Sequence, residues 1–222
     1  MKFDERTMDV LKNFSSINPS ILFEPGETLR TISPSKSVLA IARMGDDYDI
    51  DQEIGIYNLP RFLSVLSLFD LDKMSVTKEE NQWKFSQDDK EISYVFTDRG
   101  SIFTVPKELN LITTDDVKFR LSWADINAAM KAATTLSLPE LAVSGINGGL
   151  YLRAVDSKGD IRDGYTMRIG DCDKNFDMLI KKENMKLIQR DTYEVSVGIA
   201  TKIAHFKADD IEYYVAVKAT TN

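Results

Sequence analysis

The side chains that most often carry chemistry are scarce in this 222-residue chain. Its one histidine, His205, lies in a strand-like stretch beside Phe206, with no recognisable motif to supply the partner a general base needs. Its one cysteine, Cys172, sits in the acidic turn 170–174, a setting that does not activate a thiolate. A single cysteine also excludes an intramolecular disulfide framework and suits a reducing cytosol. Asp47, Asp49 and Asp51 alternate like the start of a calcium loop. The loop needs Gly at its sixth position and Glu at its twelfth, and this chain has Gln52 and Asn58 there. No Gly-rich phosphate loop occurs. The expectation is a protein that is no enzyme, with no cofactor, no metal and no ATP site of its own.

Charge is the other source of chemistry. The formal net charge is -7. That sign opposes a tight, sequence-reading duplex binder, which neutralises phosphates with Lys and Arg. It permits a chain that is acidic overall and basic on one restricted surface. No apolar run reaches the length of a membrane span, and the start, Met1-Lys2-Phe3-Asp4-Glu5-Arg6, lacks the apolar region of a signal peptide. No membrane partner is expected.

Any such surface must be built on regular elements. Thr7, Leu11, Phe14 and Ile17, flanked by Met8 and Val10, predict a helix over 4–16. Asn58 and Pro60 predict the start of a second, with Leu59, Phe62, Leu63, Leu66 and Phe69 as its buried stripe. Ser122 and Asp125 resemble a capping box for a third, whose stripe is Ile126, Met130, Ala133 and Leu136. A short fourth helix is expected over 182–187. Strands are expected at 37–43, 54–57, 74–77, 82–85, 91–97, 117–121, 193–200, 202–207 and 212–217. Asn147-Gly148 and Ser157-Lys158-Gly159 are hairpin signals. Pro106 and polar flanks mark 105–116 as a linker lying on a surface.

Landmarks of the two halves recur in order: Lys12 with Lys131, Phe62 with Met185, and Tyr94-Val95 with Tyr214-Val215. A duplicated α+β domain follows, 1–104 and 117–222 about the linker 105–116. Each helix must bury one face on a sheet. The faces left over carry Lys2, Arg6, Lys12, Arg61, Lys131, Lys181, Lys182 and Lys186, and a nearby loop adds Lys73. Glu5, Asp9 and Glu183 dilute them.

Three stretches resemble the sliding clamps of T-even-type bacteriophages. Leu11-Lys12-Asn13-Phe14-Ser15-Ser16-Ile17-Asn18 resembles their first helix. Ile56-Tyr57-Asn58-Leu59-Pro60-Arg61-Phe62-Leu63-Ser64-Val65-Leu66-Ser67-Leu68 resembles their second, closely. Asn184-Met185-Lys186, Tyr193 and Tyr214-Val215-Ala216 fit their C-terminal portion. The resemblance implies a DNA-clamp fold of two duplicated domains, each with two helices packed on antiparallel sheets, closing as a homotrimeric ring. It implies duplex DNA in the hole, a tethered DNA polymerase, an ATP-driven clamp loader, and late-transcription factors as further partners. The setting would be the cytoplasm of an infected bacterial host. It also implies a partner-peptide pocket beside the linker, for which Val105, Leu109, Leu111 and Ile112 are the candidates; the same residues would serve simply to pin the linker to the sheet.

A ring that slides needs weak, base-independent phosphate attraction, and flexible lysines on mixed helix faces supply it. Basic residues should then be confined to the helix faces. Edge strands near 94–103 and 165–169 are candidates for pairing between subunits. The competing reading is a phage structural or assembly protein of duplicated β-rich domains with merely solvated lysines.

Overall fold

A computed structural model of the chain describes residues 2–45, 48–106, 117–159 and 162–219. The chain divides into two compact units, Met1–Leu109 and Asn110–Asn222.

The first unit runs α1 (Glu5–Ile17), β1 (Ile21–Phe23), β2 (Thr28–Ile32), β3 (Val38–Arg43), β4 (Ile54–Ile56), α2 (Leu59–Leu66), β5 (Ser75–Lys78), β6 (Gln82–Gln87) and β7 (Lys90–Val95). All its strand pairs are antiparallel: β1 with β4, β2 with β3, and the meander β5-β6-β7. α1 buries Thr7, Met8, Val10, Leu11, Phe14 and Ile17, the stripe its spacing predicts. α1 packs on α2, β2 and β3. Phe3, Phe62, Trp83 and Phe85 form an aromatic cluster with ring centroids 5.5–6.2 Å apart, which joins the entry to α1, the α2 stripe and β6. Gly55 is required where β4 meets Thr97, because a Cβ there would collide with the Thr97 carbonyl.

The second unit runs β8 (Val117–Ser122), α3 (Trp123–Thr135), β9 (Glu140–Ile146), β10 (Gly149–Val155), β11 (Tyr165–Asp171), β12 (Phe176–Lys181), β13 (Thr192–Gly198), β14 (Ile203–Lys207), β15 (Ile211–Ala216) and β16 (Lys218–Ala219). β11-β10-β9-β12-β16 form one antiparallel sheet, and β15-β14-β13-β8 run side by side in another. The β9–β10 hairpin turns on Asn147 and Gly148, both at positive φ (49° and 82°), as a two-residue turn requires. α3 packs on β8, β9, β10 and β11. It buries Ile126, Ala129 and Ala133, whereas Met130 and Leu136, expected in its stripe, are only half-buried.

The expected fourth helix is a correction. Residues Lys182–Asn184 make a single 3-10 turn. Lys186 N–H then donates back to the Asn184 carbonyl at 2.9 Å, too tight a return for a helix to continue. Downstream, two core tyrosines capture the backbone. Tyr193 Oη donates to the Ile188 carbonyl at 2.6 Å, and Ile188 N–H donates to Tyr213 Oη at 3.1 Å. Arg190 adds a two-pronged pair with Asp210 at 2.8 and 2.7 Å. The helical ladder loses its groups to these partners.

Of the repeat's landmarks, Lys12 with Lys131 holds; Phe62, buried on α2, has no helical counterpart in Met185, which follows the 3-10 turn half-buried, and the Tyr-Val pair is revised. α1 and α3 are both thirteen residues long. Thr7, Val10 and Phe14 match Ile126, Ala129 and Ala133 in burial, so Lys12 and Lys131 hold equivalent exposed positions. Tyr94 and Tyr214, however, face opposite ways. Tyr94 packs edge-on against Phe62 at 5.0 Å, while Tyr214 stacks on His205 at the solvent face. Fully buried Tyr213 is the inward residue of β15. A strand alternates at every residue, so a match off by one exchanges core for surface.

Candidate nucleic-acid interface

α1 starts at Asp4, which accepts from the Thr7 N–H at 2.8 Å. Partial burial works against the Asp4 carboxylate, but the Thr7 hydrogen bonds and the Arg6 and Lys2 charges outweigh it and hold its pKa below the ordinary 3.8. Lys2, Arg6 and Lys12 are exposed on this segment. Lys12 Nζ lies 3.8 Å from Asp9, with both side chains more than half exposed (63% and 52%). A pair that wet costs little to break. Arg6 is more committed, donating to the Arg43 carbonyl.

α2 is capped by Asn58, whose Oδ1 accepts from the Arg61 N–H at 2.9 Å. Leu59, Phe62, Leu66 and Phe69 are buried, Leu63 half-buried, and Arg61, Ser64 and Ser67 exposed. Because α1 and α2 pack together, one unit presents Lys12 and Arg61 on neighbouring helices. Lys73 sits on the turn beyond, 3.1 Å from Asp70.

In the second unit, Ser122 caps α3 by accepting from the Asp125 N–H at 3.1 Å, and its own hydroxyl donates to the Asp125 carboxylate at 2.7 Å. Lys131 is exposed and forms no ion pair with a described residue. Lys181 is exposed beside Glu183 at 3.4 Å, and Lys182, on the 3-10 turn, and Lys186, just beyond it, are half-buried. Without a helix, these three cations follow the turn and not a helical face.

The expectation that basic residues keep to helix faces is corrected. Lys118, Arg120 and Lys207 stand on the solvent face of β8 and β14, where they wall a cleft of about 510 Å³ with Glu194 and His205. Strand alternation places them there, and Arg120 pairs with Glu194 across the strands at 3.1 Å. His205 also gains a partner the sequence did not offer: its Nε2 is 2.9 Å from Glu212 Oε2. Its ring stacks on Tyr214 with centroids 4.3 Å apart. Burial, then the Glu212 charge and hydrogen bond, push the Tyr214 phenol up to about 12. Hairpin register is the signal that would have found this pair, since His205 lies opposite Tyr214.

Of the four pocket candidates, Val105 is buried; Leu109, Leu111 and Ile112 lie outside the described residues, as does Asp47 of the acidic loop. Asp51 is paired with Lys78. Among the described residues no His, Cys, Asp and Glu group is arranged to hold a metal ion, and no helix is long and apolar enough to cross a membrane.

Two family descriptions match the chain in order. "DNA polymerase processivity factor" matches residues 2–97, and "gp45 sliding clamp, C terminal" matches residues 118–219. The chain belongs to the phage sliding-clamp family. Its role is that of a DNA polymerase processivity factor, which tethers and does not catalyse. The sliding clamp of Vibrio phage KVP40 is 28% identical over 99% of this chain and 100% of its own length. That of Escherichia phage RB69 is 26% identical over 99% and 97%. Among solved structures, the A. fulgidus PCNA bound to the C-terminal region of FEN-1 superposes with a TM-score of 0.71 at 14% identity, covering 97% of this chain and 96% of that one. The DNA polymerase III beta chain of Streptococcus pneumoniae gives 0.68 at 12% identity, with 97% and 63% covered. These likenesses establish the clamp fold.

Proposed function

We propose that the chain closes as a homotrimeric ring around duplex DNA and holds the replicative polymerase of a phage to its template in the cytoplasm of the infected bacterium. The observation that carries this reading is the equivalence of Lys12 and Lys131, exposed at matching positions of two duplicated helices in a chain of net charge -7. Lys2, Arg6, Arg61, Lys73, Lys181, Lys182 and Lys186 join them at the DNA. Most of these are exposed, and the ion pairs they make are weak ones. Such contacts attract phosphates without fixing a register, which suits sliding.

The domains are 1–104 and 117–222, with 105–116 as the connecting linker. Partner peptides dock beside it at Val105, Leu109, Leu111 and Ile112. An ATP-driven clamp loader opens the ring, and late-transcription factors share the peptide pocket. Subunits pair through β7 and β11, which stand at the ends of their sheets. Val95 on β7 is 62% exposed, and Tyr57, which the Gly55–Thr97 bridge brings level with it, is 65% exposed. An open apolar edge of this kind calls for a covering strand.

Retention on DNA tests the reading. A ring loaded with its loader and ATP on nicked circular duplex should stay bound through gel filtration in moderate salt and should be lost when the circle is linearised. Equal retention on both forms would mean binding by affinity and not by encirclement.

A further inference from the structure

α1 and α3 hold their lysines at equivalent positions but do not surround them alike. Lys12 Nζ stands 3.8 Å from the carboxylate of Asp9, one turn back on the same helix, with both side chains more than half exposed. The interval that carries Lys12 to Lys131 carries Asp9 to Ala128, which is exposed on α3. The rest of α3 offers no substitute for the missing carboxylate. The other residues one turn from Lys131 are Asn127, Thr134 and Thr135, all uncharged. The one acid of the helix is Asp125 in the first turn, where its carboxylate accepts from the Ser122 hydroxyl at 2.7 Å.

That difference acts directly on what each lysine can give to a phosphate. Lys12 must surrender its attraction to Asp9 before it can offer the same charge elsewhere. The loss is small because the pair is solvated. Asp9 also repels any phosphate that approaches its partner. Lys131 has no such neighbour on its helix and nothing of that kind to surrender.

We propose that Asp9 tunes the duplex contact: by holding Lys12 it weakens the grip of α1 on phosphates and leaves Lys131 of α3 the stronger of two equivalent contacts. The proposal rests on the reading that α1 and α3 face the duplex. A ring that slides gains from attraction and loses from friction. A lysine that already has a weak partner keeps the positive charge at the surface while shortening each stay on a phosphate.

Exchanging the two positions tests this. Rings are loaded with loader and ATP on long duplex, and their diffusion along it is followed one molecule at a time. Asp9→Ala gives α1 the arrangement of α3 and should slow sliding about two-fold at low salt, a difference that closes as salt rises. Ala128→Asp gives α3 the arrangement of α1 and should speed sliding by a similar factor. Both positions are exposed, so both variants fold, and melting curves close to the parent separate a sliding effect from a stability effect. In a Lys12→Gln background the slowing by Asp9→Ala should largely vanish. Equal slowing in that background would make Asp9 a repelling charge only and overturn the proposal. So would Asp9→Ala rings that slide like the parent while Lys12→Gln alters the rate. If neither Lys12→Gln nor Lys131→Gln alters sliding, the reading of these helices as the duplex face fails and takes the proposal with it.

Discussion

Tyr94 and Tyr213 are structural counterparts: each turns its ring into the core of its own unit, and the interval between them equals that between Lys12 and Lys131. Tyr94 packs against Phe62, and Tyr213 against Tyr193. Only Tyr213 uses its hydroxyl inside the protein for a partly buried backbone group, the Ile188 N–H. Burial, chiefly, drives the phenol pKa of Tyr213 far above its ordinary value. The pair should therefore respond unequally to the same change. Tyr213→Phe should cost about 1–3 kcal/mol, because it strands a partly buried donor. Tyr94→Phe should stay within about 0.5 kcal/mol, since its 3.3 Å bond to the Asn58 carbonyl is exposed. Chemical denaturation of both variants checks the ordering.

Charge reversal at Lys12 and Lys131 probes the proposed DNA surface. Neither side chain supports the fold, so the double variant Lys12→Glu, Lys131→Glu should melt within a degree or two of the parent. Loader-dependent synthesis on long primed templates should become less processive at low salt, and the gap from the parent should narrow as salt rises. Unchanged product length across the salt range would remove both lysines from the interface.

The proposed subunit contact is open to the same treatment. Val95→Lys places a charge on the exposed edge of β7, where it cannot disturb the Trp83 and Phe85 core of the neighbouring strand. Light scattering should then report a lower mass than for the parent at equal concentration. Retention of the parent mass would exclude this edge.

Asp4 predicts an acid limb to stability. Its folded pKa is depressed, so its contribution is complete above the unfolded value of 3.8 and disappears as pH falls through the lower folded value. Asn also caps helices well. Asp4→Asn should match the parent near neutrality and lose less stability than the parent on acidification below 3.8. Parallel pH profiles for the two proteins would show that the cap carries no charge-dependent energy.

The helices were the most legible part of the chain. In α1 the apolar spacing and the buried residues agree, and in α2 the Asn58 cap and most of the stripe do, because each signal is local and they reinforce one another. The 182–187 segment misled for the opposite reason. Its Lys, Glu and Met composition favours a helix, yet the decisive partners of Ile188 are hydroxyls from β13 and β15, remote in sequence. The Tyr-Val repeat failed on strand parity, which residue identity alone does not encode. The His205–Glu212 pair was hidden in the same way, since only the register of β14 on β15 brings them together. The cations themselves were readable as residues, but their presentation on helix, turn or strand was not.

The clip at 185–191 has a consequence for how such chains diverge. Inserting one residue into α1 or α3 would rotate everything beyond it by about 100°, sending Phe14 or Ala133 to solvent. The clip has no period to disrupt. It is held at Ile188 by two tyrosines and at Arg190 by Asp210, and the residues between Asn184 and Ile188 lead to that anchor without a ladder of their own. Evolution can lengthen or shorten this passage while leaving the anchor in place. Length variation among related chains should collect there, and engineered tags or reporter loops should be accepted at the same point.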